Sequence, residues 1–405
     1  MGNSKMGKPK KSMPTHEAPR DAATAALAPP IYPATVYACR SPQEAADLLA
    51  GETEGFIYSR DGHPNSDMLA KECKACHAAE EAAITGSGMA ALALALISQL
   101  KQGDHVVVSH QLYGRTLGLF TTEAARCGID STVVDTCDLA SVARVIHDKT
   151  RIVITETIAN PMLQVADIGG LAEIAHAHHA QLLIDNTFAS PVVCRPLELG
   201  ADLVVESMTK IMNGHSDVIL GCLCGNTASW DRVPLAASTW GLFASPHSCW
   251  LSLRGMATMG LRVRQATRTA REIAERLHGH PALSELHYPG LPDNPCHGLA
   301  QQQFSKISGD DCYGNMITFR LAGDVELVNK FIYTLSPEIP FCPSLGDLKT
   351  TISHPESTSH RELSSSRRQE LGIHPGTIRL SIGIEPADDI FAQLQKGLTA
   401  IAPSA

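Results

Sequence analysis

A chain of 405 residues can build more than one hydrophobic core, since single cores stop growing at about 250 to 300 residues, so two unequal domains are expected. With 44% hydrophobic against 19% charged residues and a formal charge of -9, the composition is that of a soluble globular protein with no overall basic footprint for nucleic acid. The longest apolar stretch, 89–100, is shorter than the roughly 20 residues of a bilayer span, so it reads as a buried helix and no membrane partner is expected.

Residues 1–25 begin with several lysines but lack the apolar core of a secretory signal, and Met6 breaks the myristoylation pattern. A disordered tail on a cytoplasmic protein is expected. Further on, Cys73-Lys-Ala-Cys76-His77 matches the c-type haem attachment pattern, but that chemistry needs an exported protein, and the surrounding stretch has helical character. From about 83 to 225, short β-branched runs alternate with helical stretches, as in a doubly wound α/β domain. Strands are expected at 106–109, 132–135, 152–155, 182–185, 203–206 and 218–221, with helices at 139–147 and 171–178, the first capped by Asp138. Cys222 and Cys224 lie in an apolar, strand-like run without a matching second ligand pair, so no metal site is expected and the thiols should be reduced and buried. A long Arg-rich helical pattern, 249–277, reads as a connecting helix into a smaller α+β unit, with strands at 316–319 and 378–381 and helices at 325–335 and 390–398. The Ser-rich stretch 357–366 reads as a surface loop.

The segment richest in chemistry runs Asp185-Asn-Thr-Phe188, then Ser207-Met-Thr-Lys210, then Asn213-Gly-His-Ser-Asp217. Asp185 and Ser207 stand at the ends of successive expected strands, and the carboxyl ends of strands in an open α/β sheet face the ligand crevice. Pyridoxal phosphate needs a Lys for its aldehyde, an acid to keep its pyridine nitrogen protonated, and donors for its phosphate. Lys210, Asp185, and Ser207 with Thr209 supply these in turn. Singly, Asp185 reads better as a turn residue and Lys210 as a solvated charge; jointly they read as a cofactor site. Gly86-Ser-Gly88-Met89 precedes the apolar helix and offers free backbone N–H groups as a second phosphate seat. Neither the G-x-G-x-x-G fingerprint nor the G-x-x-x-x-G-K-[ST] loop occurs, which argues against dinucleotides and nucleoside triphosphates.

With these residues assembled, the chain resembles the cysteine and methionine metabolism family of pyridoxal-phosphate enzymes. The resemblance rests on Tyr58-Ser-Arg60, Gly86-Ser-Gly-Met-Ala90, Leu112-Tyr-Gly114, Glu156-Thr-Ile-Ala-Asn-Pro161, Asp185-Asn-Thr-Phe188, Ser207-Met-Thr-Lys210, Gly214-His-Ser-Asp217, Ser344-Leu-Gly346 and Arg379-Leu-Ser-Ile-Gly383. It implies an aminotransferase-type (fold type I) α/β cofactor domain at 61–260 and a smaller α+β C-terminal domain at 261–405. An N-terminal arm at 26–60 would contact a neighbouring subunit in a homotetramer of two active dimers. By resemblance, Tyr58 and Arg60 reach the cofactor phosphate of that neighbour, and Tyr113 stacks on the cofactor ring and acts as acid or base. Arg379 holds the substrate α-carboxylate, and Asn160 and Ser344 position the substrate. The implied reaction is γ-elimination on a γ-substituted L-amino acid, giving a 2-oxo acid and ammonia, or γ-replacement joining a thiol to an activated homoserine.

The sequence departs from the family pattern at a few positions. His63-Pro64-Asn65 stands where many members have Asn-Pro-Thr, and Ile211 replaces an aromatic residue after the cofactor Lys. Pro343 stands where cystathionine enzymes often carry Glu, and Ala237-Ser238 stands where methionine γ-lyases can carry Lys-Asp. Arg115 follows Tyr113-Gly114 where a small residue or Cys is usual. It reads either as a structural ion pair with a nearby carboxylate or as a residue facing the distal end of the substrate.

Overall fold

The computed structural model describes residues 26–307 and 310–402; the tail expected at 1–25 lies outside the described residues. The larger sheet contains β1 (Glu81–Thr85), β2 (His105–Ser109), β3 (Asp130–Val134), β4 (Thr150–Glu156), β5 (Gln181–Asp185), β6 (Leu203–Glu206) and β7 (Gly221–Gly225). Their spatial order is β1-β7-β6-β5-β4-β2-β3. Strands β2 to β6 pair in parallel, whereas β7 is antiparallel to both β6 and β1. The apolar runs of β2, β4, β5 and β6 are buried on both faces, as a parallel sheet between helical layers requires.

The expected strand at 218–221 begins later than its residues suggest. Residues 218 to 220 run as a loop, with Leu220 hydrogen-bonded through its backbone to Thr209, and the ladder starts at Gly221. A Cβ on Gly221 would lie 2.3 Å from the Ser87 carbonyl, so this residue lets the turn after β1 press onto the sheet. An unbroken apolar run from 218 to 224 carries no signal of that boundary.

Two helices cover opposite faces near β7. α1 (Pro42–Ala50) lies in the N-terminal segment, and α2 (Pro64–His77) packs on β1 and β7 from one side. α3 (Gly88–Gln99) packs on β7, β6 and β1 from the other. His63-Pro64-Asn65 starts α2: His63 forms a capping box with Ser66, Pro64 occupies the first turn, and buried Asn65 bonds Tyr32 N and Pro30 O. The departure from the family pattern is thus spent on tying down the N-terminal segment. Asp138 caps Leu139–Val145 as expected, by accepting from Ala140 N.

The helix expected over 249–277 is two helices, Pro246–Met256 and Met259–Leu277. The break follows Gly255, whose missing Cβ admits the Asn213 carbonyl and whose own carbonyl accepts from Arg262 Nη2 at 3.0 Å. Arg262 also donates to the carbonyls of Ile211 and Met212, at 2.8 and 2.9 Å. The long helix therefore grips the loop that follows Lys210.

Beyond it, β8 (Leu283–His287), a two-residue pair β9 (Lys306–Ile307) and β10 (Asp310–Asp311), β11 (Met316–Leu321), β12 (Thr351–Ser353) and β13 (Thr377–Ser381) follow. Four of these form an antiparallel sheet in the order β12-β13-β11-β8, backed by helices Val325–Leu335 and Ala387–Ile401. The stretch expected as a Ser-rich loop is turns followed by a short helix, Ser365–Glu370. No helix among the described residues is long and apolar enough to cross a membrane.

Candidate active site

A cavity of about 280 Å³ opens at the carboxyl ends of β4, β5 and β6, against the edge of the smaller sheet. Its lining brings together Gly88, Met89, Tyr113, Asn160, Asp185, Ser207, Thr209, Lys210, Ser344 and Arg379, residues drawn from segments more than two hundred positions apart. Tyr58, Arg60 and Arg115 are not in its wall.

Asp185 ends β5 with its carboxyl buried at the cavity floor. Thr187 holds it by donating to Oδ1 from its hydroxyl at 2.6 Å and from its backbone N–H at 3.1 Å. The same hydroxyl accepts from Ser207 N at 2.9 Å, so the ends of β5 and β6 are locked together. Oδ2 takes no hydrogen bond from the described residues and is left for a cationic N–H in the cavity. Burial raises the Asp185 pKa against the lowering effect of the Thr187 bonds, which makes a cationic partner all the more favourable.

Lys210 reaches in from the loop after β6, its Nζ donating to Ser344 Oγ at 2.8 Å. Burial, and next the positive charge of Arg379, lower its pKa, which favours the neutral, nucleophilic amine. Gly346, at φ +83°, allows the Ser344 loop to sit on this segment: a Cβ there would lie 2.5 Å from Ile211 N. At the opposite end, Ser87 caps α3 and the helix N-terminus meets Ser207; a Cβ on Gly88 would lie 2.7 Å from Ser207 Cβ. Backbone N–H groups at a helix start beside a serine hydroxyl form a seat for a phosphate. Thr209 is less available than its position suggests, since its hydroxyl donates to Leu220 O at 3.2 Å.

Arg379, on β13, is buried and bound on one side, donating from Nη1 to Asn160 Oδ1 at 2.7 Å and from Nη2 to Ser344 O at 3.2 Å. Its Nε has no partner, and its guanidinium lies 5.4 Å from the centre of the Phe188 ring. Burial lowers its pKa to about 10 against the raising effect of Glu156, so it stays charged near neutrality. A buried cation with an unused donor beside a cavity is suited to a carboxylate.

Glu156 is the residue that reading the sequence missed. Its carboxylate accepts from Tyr113 N at 2.7 Å and from Asn160 N at 2.9 Å, which fixes the backbone of two cavity residues. Burial, then the Asp185 charge, push its pKa up to about 8. The only signal available was its place at the head of the Glu156-to-Pro161 block, because a buried brace has no motif of its own.

Arg115 lies in a second cavity, of about 270 Å³, which shares Tyr113, Pro343, Thr358 and Ser359 with the first. There Nη2 pairs with Glu362 Oε1 at 2.9 Å, and both side chains are more than half exposed. Tyr58 and Arg60 lie together on the N-terminal segment, guanidinium 5.4 Å from ring centre, away from the cavity of their own chain.

The profile of the Cys/Met metabolism PLP-dependent enzyme family matches residues 12–399. An L-methionine gamma-lyase of Fusobacterium nucleatum is 37% identical over 93% of this chain and 94% of its own. An O-succinylhomoserine sulfhydrylase of Pseudomonas aeruginosa is 34% identical over 92% of this chain and 90% of its own. The crystal structure of a putative O-acetylhomoserine (thiol)-lyase from Campylobacter jejuni, which contains a pyridoxyl-lysine phosphate, superimposes with a TM-score of 0.89 at 28% identity, covering 95% of this chain and 98% of that one. A buried acid, a lysine of lowered pKa and a helix-start anion seat around one cavity suit the cofactor of such enzymes, and with the family match along nearly the whole chain they show that this protein belongs to the Cys/Met metabolism PLP-dependent enzymes of fold type I.

Proposed function

We propose that the protein removes the γ-substituent of a methionine-like L-amino acid, releasing a 2-oxo acid and ammonia. The observation that carries this reading is the distal wall of the cavity: beyond Lys210 and Arg379 it is bounded by Thr116, Pro343, Thr358 and Ser359, none of them charged. An uncharged thioether suits such a wall, whereas a distal ammonium would lie there desolvated and unpaired. Pyridoxal phosphate, when bound, supplies the electron sink that makes protons at Cα and Cβ removable.

The chain's own residues then divide the work. Lys210 would hold the cofactor, and its amine, with a lowered pKa, is placed to take and return protons at the substrate Cα and Cβ. Asp185, whose Oδ2 is unbonded, would hold the pyridine nitrogen protonated, while Ser207 and the backbone at Gly88 and Met89 would seat the phosphate. Arg379 binds the substrate carboxylate through its free Nε side, held in place by Asn160 and Ser344. Tyr113, fixed by Glu156 through its backbone, can hand a proton to the departing sulfur.

A second reading, γ-replacement, is favoured by one feature. Arg115 sits just past Ser359 and Pro343, where a γ-substituent ending in a carboxylate can take the place of Glu362. The two readings separate when purified enzyme is given methionine or an O-acylhomoserine, each with and without a thiol. Formation of 2-oxobutanoate from methionine alone is expected. Thioether formation from the activated homoserine, with no 2-oxobutanoate from methionine, would replace the first reading by the second.

The proposal extends to assembly and location. Tyr58 and Arg60 serve the phosphate of a neighbouring chain in a homotetramer, a reading supported by their absence from the wall of their own cavity and by the exposed apolar Leu27, Ile31 and Val36 of the N-terminal segment. All twelve cysteines are free, which suits a reducing cytoplasm. Co-expressing a Tyr58→Phe, Arg60→Ala double variant with Lys210→Ala should restore part of the activity that each lacks alone. Hybrids without activity would mean that both elements act within one chain.

A further inference from the structure

The two cysteine motifs that the active site does not use meet in space. Cys73 and His77 stand one helical turn apart on α2, and Cys222 and Cys224 stand two residues apart on β7, so each pair projects from one face of its element. α2 lies across β7, and the four side chains share one fully buried pocket. One donor atom each from His77, Cys222 and Cys224 lie within 4.8 Å of one another; the Cys73 thiol abuts Cys222 but stands outside that set, so it would turn toward the other three to serve as a fourth ligand.

The imidazole of His77 is the telling group. It is fully buried, yet neither ring nitrogen has a hydrogen-bond partner. Leaving such atoms unpaired costs about 1 to 3 kcal/mol each. The nearest carboxylate oxygen, Glu206 Oε1, is 3.7 Å from Nε2, too long for a hydrogen bond. A disulfide between two of the thiols would leave the imidazole unpaired, and a hydrogen bond with the neighbouring Cys222 sulfur would serve one ring nitrogen at most. A divalent ion would draw that nitrogen and the sulfurs into one set.

We propose that Cys73, His77, Cys222 and Cys224 form a structural site for a zinc-class ion, three thiolates and one imidazole in tetrahedral array. Such closed four-ligand sets are the usual form of structural zinc sites, and cysteine clusters in proteins of reducing compartments are more often metal sites than disulfides. Glu206 accepts from Asn186 Nδ2 at 2.9 Å and stands where an outer carboxylate commonly orients a ligating imidazole. Asn186 follows Asp185, and Glu206 precedes Ser207. The ion would thus pin α2 to β7 directly behind the strand ends that carry the cofactor contacts.

The test begins with unmodified enzyme. Holoenzyme purified without chelator should contain zinc equimolar to chain, and enzyme expressed in cobalt-supplemented medium should show the red-region bands of tetrahedral thiolate-bound cobalt, clear of the yellow cofactor. A Cys222→Ser, Cys224→Ser double variant and a His77→Gln variant should lose the metal, while Cys127→Ser, at an exposed thiol, should keep it. Folded, cofactor-loaded enzyme with neither zinc nor cobalt bands would overturn the proposal on the unmodified protein alone, whether or not the variants fold. Metal retained in the double variant would also overturn it, by placing the ion elsewhere.

Discussion

In front of the ends of β5 and β6, buried polar groups are tied to the protein on one side and left open toward the cavity: Asp185 is held through Oδ1, and Arg379 through Nη1 and Nη2. Behind the same strands, His77 is buried among thiols with no partner on either nitrogen. Half-satisfied groups around an accessible cavity are a pre-organised seat for a ligand that comes and goes. A wholly unsatisfied ring in a closed pocket instead marks a constituent that would be enclosed as the chain folds. The same sheet thus carries an exchangeable site on its carboxyl edge and an enclosed one under its face.

The sharpest way to break the front half of this comparison is Lys210→Ala, which should lower turnover by about a thousandfold or more, because covalent attachment and proton transfer are lost together. Turnover near wild type, measured with cofactor in excess, would remove Lys210 from its role. Arg379→Ala comes next. Losing one buried bidentate contact costs about 2 to 5 kcal/mol, expected chiefly as a raised KM for amino acids with little change in cofactor affinity. An unchanged KM would assign Arg379 to structure alone.

Most of the front site was legible in the sequence, because its residues stand at strand ends where hydrophobic runs stop and a Lys, an Asp or a Ser begins. The back site was not legible. Cys73 and His77 fell in a haem-attachment pattern set aside for a helical stretch, and Cys222 and Cys224 read as a strand without a partner pair; only the packing of α2 across an antiparallel β7 joins them. The same antiparallel strand defeated the boundary reading at 218–221, since apolar residues flow from loop to ladder without a break. Glu156 escaped because its effect passes through the backbone of other residues.

Glu156 gives a smaller, pH-dependent effect. In the unfolded chain its carboxyl titrates near 4.5, whereas burial, and then Asp185, push it up to about 8 in the folded cofactor-free protein. The folded state therefore binds the extra proton between those values, so its stabilising contribution is full below about 4.5 and is lost as pH rises through about 8. The melting temperature of cofactor-free enzyme should fall across that window, and Glu156→Gln should flatten the slope. The variant should sit lower at the acid end only, by about 1 kcal/mol for one lost acceptor, and the two profiles should cross as pH rises. Parallel profiles for the two proteins would show that Glu156 does not titrate there.

The smallest effect is expected at Arg115. An exposed ion pair is worth under about 1 kcal/mol, so Arg115→Gly should change the ratio of kcat/KM for O-succinylhomoserine over methionine by about fivefold or less, toward methionine. A constant ratio with a lowered Tm would leave Arg115 as a structural partner of Glu362 only.

The front site itself is tested most directly by fixing the cofactor where it sits. Holoenzyme reduced with borohydride, digested and sequenced by mass spectrometry should yield one pyridoxyl-bearing peptide, modified at Lys210. A pyridoxyl group on any other lysine, or none on the Lys210 peptide from enzyme shown to be active, would contradict the assignment of this cavity as the catalytic centre.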